Sequence, residues 1–400
     1  MNREKQIVPK VRFPEFEDDV WVKTDLGSIG KPLMCKRIFK QQTTTESENA
    51  IPFFKIGTFG REPDAYISVD LYNEFKKKYS FPNIGDILIS ASGTIGRLVV
   101  YDGSDAYYQD SNIVWLGHNE TKIKNAFLYY NYTTLNWQTS DGGVIKRLYN
   151  SNLKEMEIFY PQNQKEQQKI ASCLSSLDDV IKAEAEKLDL LVEHKKGLLQ
   201  QIFPQEGETK PKYRFPEFQD DWVIKEVGAI FEVTRGYVLS MSLVSEIKTE
   251  KNKYPVYSSQ TKNNGLAGYY SDFLYEDSIT WTTDGANAGD VNFREGKFYC
   301  TNVCGVLLSK SGYANKCIAE IINSVAKKHV SYIGNPKLMN GVMSKIKIAI
   351  PSLKEQQKLA KVLSNVDELM DNQTQKIEDL QNHKKGLLQQ LFPNINEVAV

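Results

Sequence analysis

At 400 residues the chain exceeds what one hydrophobic core usually holds, so two to three domains are expected. With 41% hydrophobic and 11% aromatic residues it has the composition of a folded protein, and no apolar run approaches the roughly 18 residues that a membrane span needs. Its 50 bases and 50 acids cancel, so it lacks the overall basic excess usual in phosphate binders.

Taken in chain order, MNREKQIVPK has no apolar core of the signal-peptide kind, and five cysteines without framework spacing fit a reducing compartment; a cytoplasmic protein is expected. An arm, RFPEFEDD from Arg12, precedes Trp21 and a G-x-I spacing at Gly27 and Ile29. From Leu26 to Thr45 there are four bases (Lys31, Lys36, Arg37, Lys40) and no acid. Such runs are often only solvated loops, yet they can bind phosphate on a neutral protein. GDILISASGTIGRLVVYDG from Gly85 reads as strand, tight Ser-Gly turn and strand, and MEIFYP as a short strand ending at Pro161. Beyond Pro161 the pattern turns helical. A 3-4 apolar spacing runs through Ile170, Leu174, Leu177, Ile181, Glu184, Leu188, Leu191, Lys195, Leu198 and Ile202, and Pro204 stops it.

The second half says much of this again. RFPEFQDD from Arg214 repeats the arm at an offset of 202, and Trp222, Gly228 and Ile230 repeat the opening. A second acid-free stretch, Lys251 to Ser271, carries three lysines; DSITWTTDGANAGDVNF from Asp277 takes the place of the strand–turn–strand, and IKIAIP ends at Pro351. KEQQK recurs at Lys165 and Lys354, and HKKGLLQQIFP from His194 matches HKKGLLQQLFP from His383 at ten of eleven positions, both at an offset of 189. The second seam is Leu359, Leu363, Val366, Met370, Gln373, Ile377, Leu380, Lys384, Leu387 and Leu391, with polar breaks at the same two places, 184/373 and 195/384.

The chain is therefore a tandem duplication in which near-identical framework elements flank two unlike inserts. The predicted fold is mixed α/β, of the α+β class: two globular domains separated by a long antiparallel two-helix coiled coil, with an internal pseudo-two-fold duplication. The boundaries are 1–161 and 205–351 for the globular domains, 162–204 and 352–400 for the helices. Each helix of about 40 residues would be about 60 Å long, so the other copy is the expected partner; separate hairpins or pairing between chains are the alternatives. Helix packing or partner docking is assigned to Leu174, Leu177, Ile181, Leu188, Leu191, Leu198, Leu363, Val366, Ile377, Leu380 and Leu387. Gly197 and Gly386 join them, each at a cost of about 1 kcal/mol relative to alanine; a close backbone approach or a hinge would explain both.

Catalytic motifs are missing. Asn335-Pro336-Lys337 lacks the second proline and ring of an adenine-methyltransferase motif, and no G-x-x-x-x-G-K-[ST] occurs. Pro63-Asp64 with Glu74 and Lys76 fits a loose nuclease spacing that chance often supplies, and Cys300, Cys304, Cys317 and His329 do not have metal-knuckle spacing. The insert turns are instead rich in side chains that hydrogen-bond base edges and phosphates. The candidates are Lys36, Arg37, Lys40, Gln41, Thr43, Thr58, Arg61, Ser92, Thr94, Arg97, Asn112, Lys146 and Arg147 in the first insert, and Arg235, Ser258, Ser259, Gln260, Lys262, Asn263, Thr282, Thr283, Asn287 and Lys337 in the second. Surface loops in general contain such residues; the inference rests on the set and on its differing between the inserts.

The openings at Trp21 and Trp222, the strands running into Pro161 and Pro351, the E-Q-Q-K signatures at Glu166 and Glu355 and the H-K-K-G-L-L-Q-Q endings together resemble a specificity subunit of type I restriction-modification systems, over nearly the whole chain. The resemblance implies two target-recognition domains, each reading one half of a split sequence in double-stranded DNA, and helices that form an antiparallel spacer. It also implies two methyltransferase subunits docked on the framework and motor-nuclease subunits joined to that core. S-adenosylmethionine, ATP and Mg would then serve those partners, with no cofactor, metal or catalytic residue in this chain. A free-standing DNA-binding or scaffold protein of the same architecture is the alternative.

Overall fold

The structure, a computed structural model, describes residues 8–137, 147–205, 207–259 and 263–393, with Asn263 in its backbone alone. The chain forms two compact units, one from residues up to 183 together with those from 377 onward, the other from 184–376.

In the first unit the order is β1 (Trp21–Asp25), β2 (Lys31–Leu33), β3 (Ala50–Phe54), β4 (Tyr66–Ser68), α1 (Val69–Lys78), β5 (Ile87–Ser90), β6 (Leu98–Val100), β7 (Tyr107–Tyr108), β8 (Ile113–Gly117), α2 (Asn125–Thr134), α3 (Asn150–Glu155), β9 (Glu157–Pro161) and then α4 (Gln164–Ile202). β1 pairs antiparallel with β9, Trp21 opposite Pro161, so the two ends of the insert close on one another. The main sheet has the order β2-β8-β5-β6, and a second sheet, β4-β3-β7, holds β3 and β7 parallel through Phe53 and Tyr107. Ile87 to Ser90 are all buried, which is why this strand reads as a continuous apolar run rather than an alternating one.

The second unit repeats the plan. Its elements are β10 (Val223–Glu226), α5 (Val227–Ile230), β11 (Glu232–Arg235), β12 (Tyr254–Tyr257), β13 (Leu266–Tyr270), β14 (Tyr275–Thr282), β15 (Val291–Cys300), β16 (Cys304–Leu308), α6 (Lys316–Ala326), α7 (Asn340–Met343), β17 (Lys347–Ile350) and α8 (Leu353–Leu391). β10 closes on β17 as β1 does on β9. The order β11-β16-β14-β15 matches β2-β8-β5-β6 strand for strand. The parallel pair recurs as Val256 opposite Tyr299, but here β15 is one ten-residue strand that fills the places of both β6 and β7. Unlike sequences thus build one topology.

The arm repeat and the helix repeat meet in space. Arg12 donates from Nε and Nη2 to the two carboxylate oxygens of Glu166 at 2.7 and 2.8 Å, and Arg214 does the same to Glu355 at 2.8 Å for both. Glu166 and Glu355 are buried. Two further ion pairs, Lys169 with Glu15 and Lys358 with Glu217, lie one helical turn on, and those lysines sit over the Phe13 and Phe215 rings at 4.8 and 4.2 Å. The backbone N–H of Val11 donates to the Gln390 carbonyl and that of Tyr213 to Gln201, each pinning its arm to the end of the other long helix. The next residues of the signature, Gln167 and Gln356, donate to the Pro161 and Pro351 carbonyls at 2.8 Å. The E-Q-Q-K motif is therefore the joint between insert and helix.

Within each unit the long helices run antiparallel. In the first, Ile170 and Leu174 of α4 share a core with Leu387, Leu391 and Phe392 of α8. In the second, Leu198 and Ile202 share one with Leu359 and Leu363. Every residue of both predicted seams is buried or half-buried, Leu177, Ile181, Leu188, Leu191, Val366, Ile377 and Leu380 among them. The polar breaks are cross-helix contacts. Gln373 donates to the Glu184 carboxylate at 2.6 Å and to its carbonyl at 2.9 Å, with Lys376 also on the carboxylate. Lys195 bridges Asp367 at 2.8 Å and Glu320 of α6 at 2.9 Å, while Lys384 pairs with Asp178 and lies over Tyr130 of α2. Gly197 and Gly386 are half-buried, yet a Cβ added at either would meet nothing within 4 Å, so close backbone approach inside the chain does not explain them.

Glu166→Ala or Glu355→Ala leaves a largely buried guanidinium unpaired and should lower the unfolding free energy by about 3–5 kcal/mol in denaturant titration. Trp21 Nε1 donates to Glu166 at 3.1 Å whereas Trp222 Nε1 is buried without a partner among the described residues, so Trp21→Phe should cost more stability than Trp222→Phe. Gly197→Ala and Gly386→Ala should each stabilise the isolated chain by up to about 1 kcal/mol, read as a rise in melting temperature.

Candidate nucleic-acid interface

In the first insert hydrogen bonds and ion pairs hold six of the predicted side chains, Arg37, Thr58, Ser92, Arg97, Asn112 and Arg147, to neighbouring turns. Ser92 in the β5–β6 turn donates to Asn112 Oδ1 at 2.8 Å, and an isolated bridge links Ser92 to Arg147, whose Nη2 donates to the Ser111 carbonyl at 2.9 Å. Arg37 pairs with Asp110 at 2.9 Å, which ties the basic stretch to the same loop. Arg97 donates to the Phe59 carbonyl at 2.7 Å, bringing in the Lys55–Arg61 turn, where Lys55 N donates to Thr58 Oγ1. Thr94 is exposed at the turn, its carbonyl taken by Ser90. Lys40, Gln41 and Thr43 make a separate exposed-to-half-buried turn held by local bonds, Thr43 Oγ1 to the Lys40 carbonyl at 2.8 Å. Lys36 lies over the Tyr79 ring at 5.1 Å, and Arg61 is exposed. Lys146 lies outside the described residues.

In the second insert the equivalent turn is Thr283–Asn287. Leu338 N donates to the Thr283 carbonyl just as Leu148 N does to Ala91, and the bridge Asp284–Lys337 corresponds to Ser92–Arg147. Thr282 and Thr283 are buried, and Thr283 Oγ1 is committed to Asp284 and to the Val303 carbonyl, so these two shape the turn from within. Asn287 is half-buried, and the exposed Lys337 lies 3.7 Å from Asp284. Ser258 accepts from Thr301 Oγ1 at 3.0 Å, beside the half-buried Ser259, and Arg235 donates to the Asn302 carbonyl. Gln260 and Lys262 lie outside the described residues, and Asn263 begins a short turn that ends at Gly265.

Sequence reasoning passed over Arg294. Its guanidinium lies 3.7 Å from the Tyr257 ring centroid and donates to Thr280 Oγ1 at 3.0 Å and to the Asn264 carbonyl at 2.7 Å. Among the described residues it has no carboxylate partner, and burial lowers its pKa. It lines a cleft of about 660 Å³ with Ser258, Thr282, Asn287 and Lys195. The signal available in the sequence was a lone base at an inward position of a strand.

The other patterns weighed in the sequence do not come together among the described residues. Asp64 pairs with Lys55, Glu74 with Lys78 and Lys76 with Asp105, so the loose nuclease pattern disperses into separate surface pairs. Cys300 and Cys304 share one small core and Cys317 belongs to another; burial pushes the Cys304 thiol up to about 11 and that of Cys35 to about 12, away from reactive thiolates. Among the described residues no group of three or more His, Cys, Asp or Glu could hold a metal ion, and no helix is long and apolar enough to cross a membrane.

Residues 19–193 and 219–382 match the family described as type I restriction modification DNA specificity domain, one match per insert with most of its following helix. The chain belongs to that family. Among similar proteins, one named as a type I restriction enzyme specificity subunit from Haemophilus influenzae is 51% identical over 169 residues, 42% of this chain and 43% of that one. The match thus spans less than half the length of the Haemophilus relative. A type I restriction enzyme MjaX specificity subunit from Methanocaldococcus jannaschii is 24% identical over 376 residues, 87% of this chain and 84% of that one. The crystal structure of the S subunit of a type I restriction-modification system from M. genitalium aligns over 97% of this chain and all of its own at a TM-score of 0.62 and 18% identity. A chain from a structure of a type I R-M system aligns over 92% of this chain and 96% of its own, at a TM-score of 0.55 and 14% identity. At those identities the structural likenesses speak for the fold, a specificity-domain fold with mixed α+β units.

Lys36 and Lys40, exposed and without ion pairs among the described residues, should each flatten the dependence of log affinity on log salt by roughly one unit when changed to alanine. Arg97→Ala and Arg147→Ala should instead lower thermal stability together with affinity, because each removes a bond that holds a turn. Binding isotherms at several salt concentrations, with melting curves alongside, separate the two classes.

Proposed function

We propose that this chain is the DNA-recognition subunit of a type I restriction-modification complex, in which each insert reads one half of a bipartite motif in double-stranded DNA. The globular parts 1–161 and 205–351 are the target-recognition domains. The helical parts 162–204 and 352–400 set the unread spacer and dock two methyltransferase subunits, to which motor-nuclease subunits join. Methyl transfer, ATP hydrolysis and cleavage belong to those partners, with their S-adenosylmethionine, ATP and Mg, and the complex works in the cytoplasm. The observation that carries this reading is the pairing of an identical strand order and identical end-clamps with two unlike sets of turn residues: one scaffold, two surfaces. Polar side chains hydrogen-bond base edges, while lysines on phosphates set register. The exposed Lys36, Lys40, Gln41 and Arg61 in the first insert, and the half-buried Ser259 and Asn287 with the exposed Lys337 in the second, are the contacts proposed from the set, with Ser92, Asn112 and Arg147 as the frame beneath them.

The test is an exchange. Replacing Trp21–Tyr160 by the equivalent insert of a relative, and sequencing the methylome of cells that carry the chimera with its methyltransferase, should change one half of the methylated motif and leave the other untouched. A motif altered in both halves would mean that the inserts read DNA jointly, and methyl transfer by the purified single chain would refute the division of labour.

A further inference from the structure

From within α6 to the start of α8 the chain carries a run unlike any other in the protein: Ile321 to Lys354 contains six lysines and no Asp or Glu. At its centre is a loop closed by reciprocal backbone bonds, Ser331 N to the Lys337 carbonyl at 2.8 Å and Lys337 N to the Ser331 carbonyl at 2.9 Å. The base of the loop is fixed to the second insert's turn, since Gly285 N donates to the Pro336 carbonyl and Trp281 Nε1 to that of Leu338. Gly334, at a φ of +76°, turns the tip. What the tip displays is apolar: Ile333 is 95% exposed and Tyr332 69%. A β-branched aliphatic side chain held in water at the end of a rigid loop gains nothing for the fold of this chain. It has the form of a side chain waiting for a surface to enter.

We propose that the loop Ser331–Lys337 is a finger that enters a DNA groove and wedges Ile333 between adjacent base pairs of the half-motif read by the second insert. Charge decides for nucleic acid over an apolar protein face. The exposed Lys345 and Lys347 have no ion pair among the described residues and are the lysines left for backbone phosphates, while Lys337 at the loop base and Lys327 just after α6 face Asp284 and Asp290 and would exchange those acids for phosphates as the tip goes in. Aliphatic wedges unstack and kink the step they enter, and they favour flexible pyrimidine–purine steps, so Ile333 would contribute specificity without a hydrogen bond. The Thr283–Asn287 turn, bonded to the loop, would then read the pairs next to the kinked step. This inference rests on the second insert being a DNA reader.

The experiment uses the full chain assembled with its methyltransferase and a duplex carrying the motif found by methylome sequencing, with 2-aminopurine placed at each position of the second half-motif in turn. The wild type should give a several-fold fluorescence rise at one step, besides any rise at the base that is methylated. Ile333→Ala should abolish the first signal alone and weaken binding by about ten- to a hundredfold, the effect of exposing one aliphatic side chain; Ile333→Leu should restore most of both. Since Ile333 is exposed, the melting temperature of both variants should stay at the wild-type value. A signal unchanged in Ile333→Ala overturns the wedge while leaving DNA reading intact, and so does loss of methyltransferase co-purification with no change at the DNA, which would make the tip a protein contact. If the wild-type assembly methylates no defined motif, the reading beneath it falls as well.

Discussion

The buried pair between Arg12 and Glu166, repeated as Arg214 and Glu355, is the constraint on which the rest of the structure depends. A carboxylate taken out of water needs a geometrically matched cation, and the guanidinium fork supplies two parallel bonds to it. That pair holds the chain before the insert against the first turn of the helix after it. Adjacent glutamines bind the last strand of the insert to the same turn. Whatever lies between can change in length and sequence, provided that its ends return to this joint. The arm and helix repeats differ in offset, 202 against 189, for that reason: they are partners across a segment of variable length.

The long helices follow the same logic with weaker forces. An all-apolar seam would tolerate sliding by a heptad, because one leucine layer resembles the next. The amines of Lys195 and Lys384 do not slide, since each needs an acid at one height, Asp367 or Asp178. Lys195 also reaches α6 through Glu320, so the register of the helices is coupled to the globular part of its unit. Polar residues that interrupt a hydrophobic pattern here choose one alignment from several of similar apolar burial.

Much of the frame was legible in the sequence because it depends on local period and on repetition. The heptad seams, the proline stops, the strands at Gly85 and Asp277 and the strands before Pro161 and Pro351 all come from patterns a few residues wide. The identity of the two strand orders was not legible, for it depends on pairings over long separations, and the break between β6 and β7 against the continuous β15 hides it further. The surface candidates divide for the same reason. Thr283 looks like any turn threonine until Val303, twenty residues on, takes its hydroxyl, and Arg97 looks like a DNA contact until the Phe59 carbonyl takes one of its donors. Partners distant in sequence decide which polar groups remain for a ligand. In the other direction, Ile333 is aliphatic and yet stands in water.

The contact between Glu184 and Gln373 joins two residues that occupy the same place in the duplicated sequence, so the chain there touches its own copy. At such a point the two halves of the gene cannot drift or be homogenised independently. Gene conversion that wrote the first copy over the second would set carboxylate against carboxylate, and one of them would have to take up a proton or turn away. Conversion in the other direction would set amide against amide, which satisfies itself but leaves Lys376 without its acid. A chain that began as two equal halves thus keeps, at a position that touches its own copy, a reason to remain unequal.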